Sequence, residues 1–266
     1  QKEAIFGAIK HRFLIINGGA GVGKTTLLDA LYSVLHKLDI IPVQVALAGK
    51  AAKRMAEATN QEAYTIARFI RNFNAKDYEG RQLVIVVDES SMVDLPSMYR
   101  LLRCVPNSAH VIMLGDIGQL PPVDFGLVFH ELVPMHDIPK ITLTEVRRQD
   151  KLSNIPAISA SIRNGVLPTF SYDDVVHIDI NGTNAIQRRA VSIYLEKPDE
   201  TQIICATTKM VNDINKRCVA LNNSKPLRVF IEEANHYLDT EFKLHDKVMC
   251  CSNLYAHDLM NGSIGT

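Results

Sequence analysis

Apolar and polar positions along the chain follow two patterns, which predict strands and helices in alternation. Continuous runs of apolar and β-branched residues are typical of strands that are buried on both faces of a sheet. Such runs predict strands at 13–17, 43–47, 83–87, 111–114, 141–144, 175–180 and 202–206. Apolar residues spaced three and four apart predict helices at 2–10, 26–38, 49–58, 65–73, 94–102, 154–164, 184–197 and 210–221. The alternation predicts an α/β fold, in which a parallel sheet carries helices on both faces.

The length of 266 residues allows one large or two medium domains. We place a first domain at 1–150, where the alternation is most regular, and a second domain at 151–266. After Val229 the predicted strands become short, and the chain ends at Thr266 before a second sheet is closed. The chain also begins at Gln1 rather than at Met, so we expect a fragment whose second domain is truncated.

Composition and net charge exclude few classes of function. Lys plus Arg equals Asp plus Glu at 29 each, so net charge gives no sign of a polyanionic partner, although a local basic groove would be sufficient. The five cysteines lack metal-ligand spacing and are interpreted as reduced thiols, and the nine histidines are scattered. The sequence shows no signal peptide and no membrane span. We therefore expect a cytoplasmic protein with no membrane partner.

A glycine-rich segment joins the first predicted strand to the next helix, which is the context of a phosphate-binding loop. Its backbone N–H groups and the helix N-terminus would bind the phosphates of ATP. Lys24 would reach the β- and γ-phosphates, and Thr25 would hold Mg²⁺. The residues expected to bind nucleotide are Gly18, Gly19, Ala20, Gly21, Val22, Gly23, Lys24, Thr25 and Thr26.

Polar residues that follow later strands complete a nucleotide-hydrolysing site. Asp88 ends an apolar run and would hold Mg²⁺, while Glu89 would polarise the attacking water. Gln119, in the turn after the 111–114 strand, would sense the γ-phosphate through its amide. Arg148 of the Arg147–Arg148 pair would stabilise charge in the transition state. In a parallel sheet these strand ends share one edge, which is where ligands bind.

Five segments, taken in order, resemble the motifs of superfamily 1 DNA helicases of the RecD, TraA and Dda type. They are Gly-Gly-Ala-Gly-Val-Gly-Lys-Thr, Ala-Gly-Lys-Ala-Ala-Lys-Arg-Met, Val-Val-Asp-Glu-Ser-Ser-Met, Leu-Gly-Asp-Ile-Gly-Gln-Leu-Pro-Pro-Val and Leu-Thr-Glu-Val-Arg-Arg-Gln. The resemblance is strongest from 14 to 149. It implies two RecA-like domains, the second incomplete here, with ATP between them and single-stranded DNA across them. It also implies an ATP-dependent helicase or translocase with 5′→3′ movement.

The resemblance also assigns roles to individual residues. Gln1 would read adenine, and Arg148 would be an arginine finger. The residues implied to contact DNA are Lys50, Lys53, Thr65, Arg68, Thr207, Thr208, Asn261 and Gly262. Such contacts would hold the sugar-phosphate backbone without reading sequence. Further partners would be other subunits or domains of a recombination, conjugation or phage complex.

Departures from the family pattern leave other functions open. Leu47-Ala48 and Ala67 replace residues with which relatives contact DNA, and the segment between Ile70 and Leu83 is too short for a long duplex-splitting hairpin. A final block with a second arginine would lie beyond Thr266, so we expect this chain to bind ATP but to hydrolyse it poorly. The alternatives are a nucleotide-gated module that binds single-stranded DNA without unwinding, an RNA-directed helicase and a P-loop kinase.

Overall fold

The computed structural model of the chain describes residues 1–19, 21–144, 153–170, 174–231, 236–254, 257 and 259–266. The chain forms two compact units. The first contains Gln1–Thr169 and Cys251–Gly262, and the second contains Phe170–Cys250 and Ser263–Thr266. The division differs from the predicted boundary at residue 150, because the helix at Ile155–Arg163 is tied to the first unit through an ion pair between Arg163 and Asp116.

The first unit is built on a six-stranded parallel sheet. Its strands are β1 (Phe13–Gly18), β2 (Ile41–Ala46), β3 (Ala63–Thr65), β4 (Leu83–Asp88), β5 (His110–Gly115) and β6 (Lys140–Leu143). They lie in the order β3-β2-β4-β5-β1-β6, and all neighbouring pairs are parallel. Strand β5 therefore lies between β4 and β1, which brings the carboxyl ends of these three strands side by side.

Seven helices of the described residues belong to the first unit and cover both faces of this sheet. They are α1 (Lys2–Lys10), α2 (Lys24–Lys37), α3 (Gly49–Thr59), α4 (Ile66–Asn72), α5 (Leu95–Cys104), α6 (Val128–Leu132) and α7 (Ile155–Arg163). Short 3₁₀ turns occupy Ala75–Tyr78 and Ser90–Met92. The predicted α/β fold with a RecA-like parallel sheet is confirmed.

Two apolar cores, one on each face of the sheet, hold the strands in place. Alternate residues of β4 point into different cores: Ile85 and Val87 pack with α4, α5 and α6, while Val84 and Val86 pack with α1, α2 and α3. Burying a Val, Leu or Ile side chain contributes about 1.5–3 kcal/mol. Because each central strand is buried on both faces, the positions of its carboxyl-end residues are fixed from both sides.

The second unit contains helices α8 (Thr183–Glu196) and α9 (Thr208–Leu221). Strands β7 (Pro226–Ile231) and β8 (His236–Lys243) pair antiparallel, as do β9 (Val248–Met249) and β10 (Ile264–Gly265). Both helices were predicted to within two residues at their N-terminal ends.

The predicted strands at 175–180 and 202–206 are wrong: within 175–180 only Val175 forms an isolated bridge, and 202–206 form no strand. Val176 is 73% exposed and Ile204 is 89% exposed. An apolar run becomes a strand only where a neighbouring strand accepts its hydrogen bonds. No described helix is both long enough and apolar enough to span a bilayer.

Candidate functional site: a phosphate loop at a parallel sheet edge

The loop between β1 and α2 needs glycine at several positions. Gly21 and Gly23 have φ angles of 77° and 82°, a region that residues with a Cβ rarely adopt. At Gly18 the reason is packing rather than backbone angle: a Cβ atom there would lie 2.8 Å from the Cγ2 atom of Val22, which leaves no room for a larger residue. Ala20 lies outside the described residues. The loop is thus narrow, and its backbone approaches whatever it binds closely.

Lys24 spans this loop from the first turn of α2. Its Nζ atom donates a hydrogen bond of 3.0 Å to the carbonyl oxygen of Gly18. Thr25 is the next residue of the helix, and its side chain is exposed, as is that of Thr26. The ammonium group is therefore held over the loop, where phosphate oxygens bound by the loop would replace the carbonyl as its partner.

Gln1, which immediately precedes α1, reaches the same loop. Its Nε2 atom donates a hydrogen bond of 3.3 Å to the carbonyl oxygen of Gly23. A Cβ atom at Gly23 would lie only 2.9 Å from that Nε2 atom. The structure therefore brings Gln1 to the phosphate loop, while its expected contact with adenine stays a prediction.

Two acidic side chains with unpartnered oxygens follow strand β4. Among the described residues, the buried Oδ1 atom of Asp88 and the buried Oε2 atom of Glu89 have no hydrogen-bond partner. Burial raises the pKa of Asp88, opposed by the backbone hydrogen bond from Glu89 and by the charge of Lys24. Orphaned carboxylate oxygen beside the phosphate loop, together with the hydroxyl of Thr25, forms an oxygen-donor set that Mg²⁺ prefers. These residues fit the expected metal.

Glu89 combines a strained backbone with a raised pKa. Its φ angle of 49° places a non-glycine residue in the left-handed region, a strain of the kind that clusters at active sites. The turn after it is held by a 2.7 Å hydrogen bond from the Ser90 hydroxyl to the carbonyl of Val87. Burial, followed by the charge of Asp88, raises the pKa of Glu89, whereas Lys24 lowers it. Glu89 thus lies within the electrostatic influence of Lys24, and its role as the base stays a prediction.

The turn after β5 is attached to β1 and folds around Asp116. Asp116 is buried, and its Oδ1 atom accepts a 2.9 Å hydrogen bond from the backbone N–H of Gly118. The N–H of Gln119 donates to the carbonyl of Asp116 at 3.0 Å, and the N–H of Ile117 donates to the Asn17 side chain at 3.3 Å. Gln119 is therefore fixed beside the carboxyl ends of β5 and β1. Its role as a γ-phosphate sensor stays a prediction.

Two residues of this region were missed by the sequence analysis. Arg163, the last residue of α7, pairs with Asp116 through Nη2 and Oδ2 at 3.2 Å. Tyr32 lies in the buried stripe of α2, its hydroxyl has no partner among the described residues, and burial and the charge of Asp88 raise its pKa well above the ordinary value. No local motif marks either residue. The expected arginine finger, Arg148, lies outside the described residues, as does Arg147.

The residues expected to contact DNA fall in two groups. Lys50 donates a 3.3 Å hydrogen bond from Nζ to the carbonyl of Gly262, and Asn261 donates from its backbone N–H to the Asn253 side chain at 2.9 Å. The segment Cys251–Gly262 belongs to the first unit. Placing Asn261 and Gly262 in the second domain was therefore wrong, because they are anchored beside α3.

The remaining candidates are helix caps, the half-buried Arg68, and exposed residues of α3 and α9. The Thr65 hydroxyl accepts a hydrogen bond of 3.1 Å from the N–H of Arg68, and the guanidinium of Arg68 lies 5.4 Å from the ring centroid of Tyr64. In the second unit, Thr207 caps α9 and Thr208 is its first residue. Lys53 is exposed on α3. Contact of these residues with DNA stays a prediction.

The chain is similar in sequence to a protein family and to several DNA helicases. A family described as an AAA domain matches residues 1–179. The ATP-dependent RecD2 DNA helicase of Deinococcus radiodurans is 29% identical over 265 residues, which cover 96% of this chain and 36% of that protein. The ATP-dependent DNA helicase dda of Enterobacteria phage T4 is 29% identical over 248 residues, covering 81% and 55% of the two chains. The chain thus spans between about a third and about half of the length of these relatives.

Among solved structures, the Pif1 helicase from Candida albicans has a similar fold. The TM-score is 0.55 at 20% identity, and the match covers 99% of this chain and 66% of that one. At this identity the similarity establishes the fold alone. The sequence relatives confirm the resemblance to DNA helicases of the RecD and Dda type.

Proposed function

We propose, from the premise that the chain belongs to the AAA domain family, that it is an ATP-driven helicase or translocase acting on single-stranded DNA. One observation carries the proposal. Lys24, the Asp88–Glu89 pair and the turn at Asp116–Gln119 follow strands β1, β4 and β5, which are direct neighbours in the sheet. This is the arrangement that hydrolysis of a bound triphosphate requires.

Binding of ATP is assigned to the phosphate loop. The loop N–H groups and the ammonium of Lys24 bind the phosphates, and Gln1, which already contacts Gly23, reads the adenine. Thr25 and Asp88 would hold Mg²⁺, which neutralises charge on the phosphate oxygens. Attachment of these groups to the carboxyl ends of buried strands supports the proposal, because groups held in position before the ligand binds lower the entropic cost of the reaction.

Hydrolysis is assigned to Glu89. A water oxygen attacks the γ-phosphorus, the bond from that phosphorus to the bridging oxygen breaks, and the proton of the water passes to the Glu89 carboxylate. Burial, the leading cause of its raised pKa, makes that carboxylate a stronger base, while Lys24 favours its ionised form. The products are ADP and inorganic phosphate. Arg148 would stabilise the charge that develops, and Gln119 would report loss of the γ-phosphate.

The DNA track of the first unit is assigned to the α3 and α4 region. Lys50, Lys53 and Arg68 supply positive charge, and Thr65, Asn261 and Gly262 supply hydroxyl or backbone groups. In the second unit Thr207 and Thr208 would contact DNA. These groups suit phosphate and sugar contacts rather than base edges, so we expect binding without sequence preference. Movement in the 5′→3′ direction and assembly with other subunits belong to this proposal.

A strand-displacement assay tests the proposal with duplexes that carry a single-stranded tail at either the 5′ or the 3′ end. We expect ATP-dependent unwinding of the 5′-tailed duplex only. Lys24→Ala and Glu89→Gln should both abolish unwinding, while Lys37→Ala, an exposed lysine at the end of α2, should not. Unwinding from the 3′ tail would overturn the polarity. If nucleotide changes the affinity for DNA but the strands do not separate, the nucleotide-gated module is favoured. If the chain prefers an RNA tail, the RNA-directed helicase is favoured.

A further inference from the structure

Arg163 occupies a position between the phosphate loop and the Asp116–Gln119 turn that no helicase motif in the sequence accounts for. It ends α7, and its guanidinium forms a two-fold contact with the Asp116 carboxylate. Nη2 lies 3.2 Å from Oδ2, and Nη1 lies 3.5 Å from Oδ1. The carboxylate side chain is 4% exposed and the arginine side chain is 46% exposed. The arginine side chain therefore contacts a buried carboxylate while almost half of its own surface stays exposed.

The glycine of the turn lets the guanidinium approach this closely. A Cβ atom at Gly118 would lie 2.5 Å from both Cζ and Nε of Arg163. Any side chain at that position would displace the arginine. The guanidinium therefore lies directly against the backbone of the turn that carries Gln119.

The phosphate loop also lies close to Arg163, at Gly19. A Cβ atom at Gly19 would lie 3.8 Å from Nη1 of Arg163 and 3.7 Å from Oδ2 of Asp116. Gly19 is the second residue of the loop, and Lys24 already reaches across to the first, Gly18. The ammonium and the guanidinium thus converge on the same end of the loop.

An arginine carries five N–H donors, and the contacts with Asp116 use two of them. The remaining donors suit phosphate oxygens, which guanidinium groups recognise in pairs. The arginine side chain is 46% exposed and lies beside Gly19, a position that a ligand on the loop could reach.

We propose that Arg163 binds the terminal phosphate of a nucleoside triphosphate on the Gly18–Thr25 loop and couples it, through Asp116, to the Gln119 turn. This inference rests on the proposed function. It adds a triphosphate-specific contact to the one expected of Arg148. ADP lacks the γ-phosphate and would leave Arg163 on Asp116 alone.

The test compares the Kd values of ADP and of a non-hydrolysable ATP analogue with a β,γ-imido bridge, measured by calorimetry in the presence of Mg²⁺. For Arg163→Ala we expect the Kd of the analogue to rise about ten- to a hundredfold, as for loss of a charge-assisted hydrogen bond, with the Kd of ADP nearly unchanged. Arg163→Lys should show a smaller rise. Arg103→Ala, at an exposed position near the end of α5, is the matched control and should change neither Kd.

The Asp116→Asn variant distinguishes phosphate binding by Arg163 from a role of Arg163 that is limited to its ion pair with Asp116. This variant weakens the ion pair but keeps the guanidinium, so we expect the Kd of the analogue to change less than in Arg163→Ala. Equal weakening of both nucleotides in Arg163→Ala and Asp116→Asn would overturn the proposal, as would unchanged affinity for the analogue in Arg163→Ala. If the unmodified chain bound neither nucleotide, the proposed function itself would fail. Thermal midpoints without nucleotide identify any unfolded variant, and Arg163→Lys then decides.

Discussion

The side-chain ammonium of Lys50 lies 3.3 Å from the carbonyl oxygen of Gly262, although 212 positions separate the two residues in sequence. The contact joins the beginning of α3 to the segment Cys251–Gly262, which belongs to the same compact unit. Gly49 lies beside it, and a Cβ atom there would lie 2.9 Å from the Oδ1 atom of Asn253. Three residues expected to touch DNA are therefore adjacent in space, as a continuous phosphate track would require.

The first prediction concerns this track. Lys50→Ala should weaken binding of a single-stranded oligonucleotide uniformly across sequences, because it removes one phosphate contact and one released counterion. The slope of log Kd against log salt should fall by about 0.7. A salt titration by fluorescence anisotropy measures this, with Lys37→Ala on α2 as the control. A salt slope equal to that of the unmodified chain would show that Lys50 does not contact DNA.

The second prediction concerns pH and Glu89. Because burial raises its pKa in the folded state, the folded chain holds this proton more tightly than the unfolded chain does. The favourable contribution is therefore present below the ordinary pKa of about 4.3 and is lost as pH rises through the raised folded-state value. Glu89→Gln should accordingly be more stable than the unmodified chain at neutral pH.

That stability difference should disappear in acid, below the ordinary glutamate pKa. Urea denaturation at a series of pH values, without nucleotide, measures it. A substitution at Glu79, an exposed glutamate, gives the control for loss of a surface carboxylate. A Glu89→Gln variant that loses stability at neutral pH would show that the carboxylate is stabilised where it lies, contrary to its raised pKa.

The third prediction concerns the buried hydroxyl of Tyr32. It has no partner among the described residues and lies near Asp88. Tyr32→Phe should leave the free energy of unfolding unchanged or raise it by about 1 kcal/mol, because removal of an unsatisfied buried polar group removes its desolvation cost. Tyr32→Ala should lower stability by about 3–5 kcal/mol through the cavity that it leaves. A clear loss of stability in Tyr32→Phe would mean that the hydroxyl has a partner.

The fourth prediction separates backbone strain from crowding at the phosphate loop. Gly23 and Gly80 both have left-handed backbones, with φ angles of 82° and 76°. A Cβ atom at Gly23 would meet Gln1 at 2.9 Å, whereas nothing lies within 4 Å of one at Gly80. Each alanine substitution should cost about 1–2 kcal/mol for the backbone. Only Gly23→Ala should also abolish ATP binding, which calorimetry would show. Normal affinity in that variant would contradict the assigned role of the loop.

Local pattern predicted most elements of the first unit, but it missed the short strand β3 and the short helix α6. The apolar runs that became β4 and β5 are buried on both faces, so burial and hydrogen bonding agree with the pattern. The same pattern failed around Val176 and Ile204, where the side chains are exposed. Whether an apolar run finds a neighbouring strand is decided by distant parts of the chain, which the run itself does not encode.

Some residues of the candidate site could be predicted from the sequence, and others could not. Lys24, Asp88 and Glu89 could be proposed as site residues because each belongs to a local motif: Lys24 ends a glycine-rich segment, and Asp88 and Glu89 follow an apolar run. Arg163 and Tyr32 could not be identified, since their relation to the site arises from tertiary packing. Tyr32 is one more residue in the buried stripe of α2, and Arg163 is a common type of residue for a helix end. Thr65 and Thr207 act as helix caps, and their hydroxyls accept hydrogen bonds from the backbone N–H groups of Arg68 and Met210.

The steady-state rate of ATP hydrolysis with and without single-stranded DNA tests the central claim most directly. We expect single-stranded DNA to raise the rate of the unmodified chain severalfold. Glu89→Gln should lose about a hundredfold or more of that rate while still binding ATP, since the general base is removed and the phosphate contacts remain. Lys24→Ala should lose ATP binding as well. A hydrolysis rate that is indifferent to DNA, or a Glu89→Gln variant that hydrolyses ATP at the normal rate, would contradict the account.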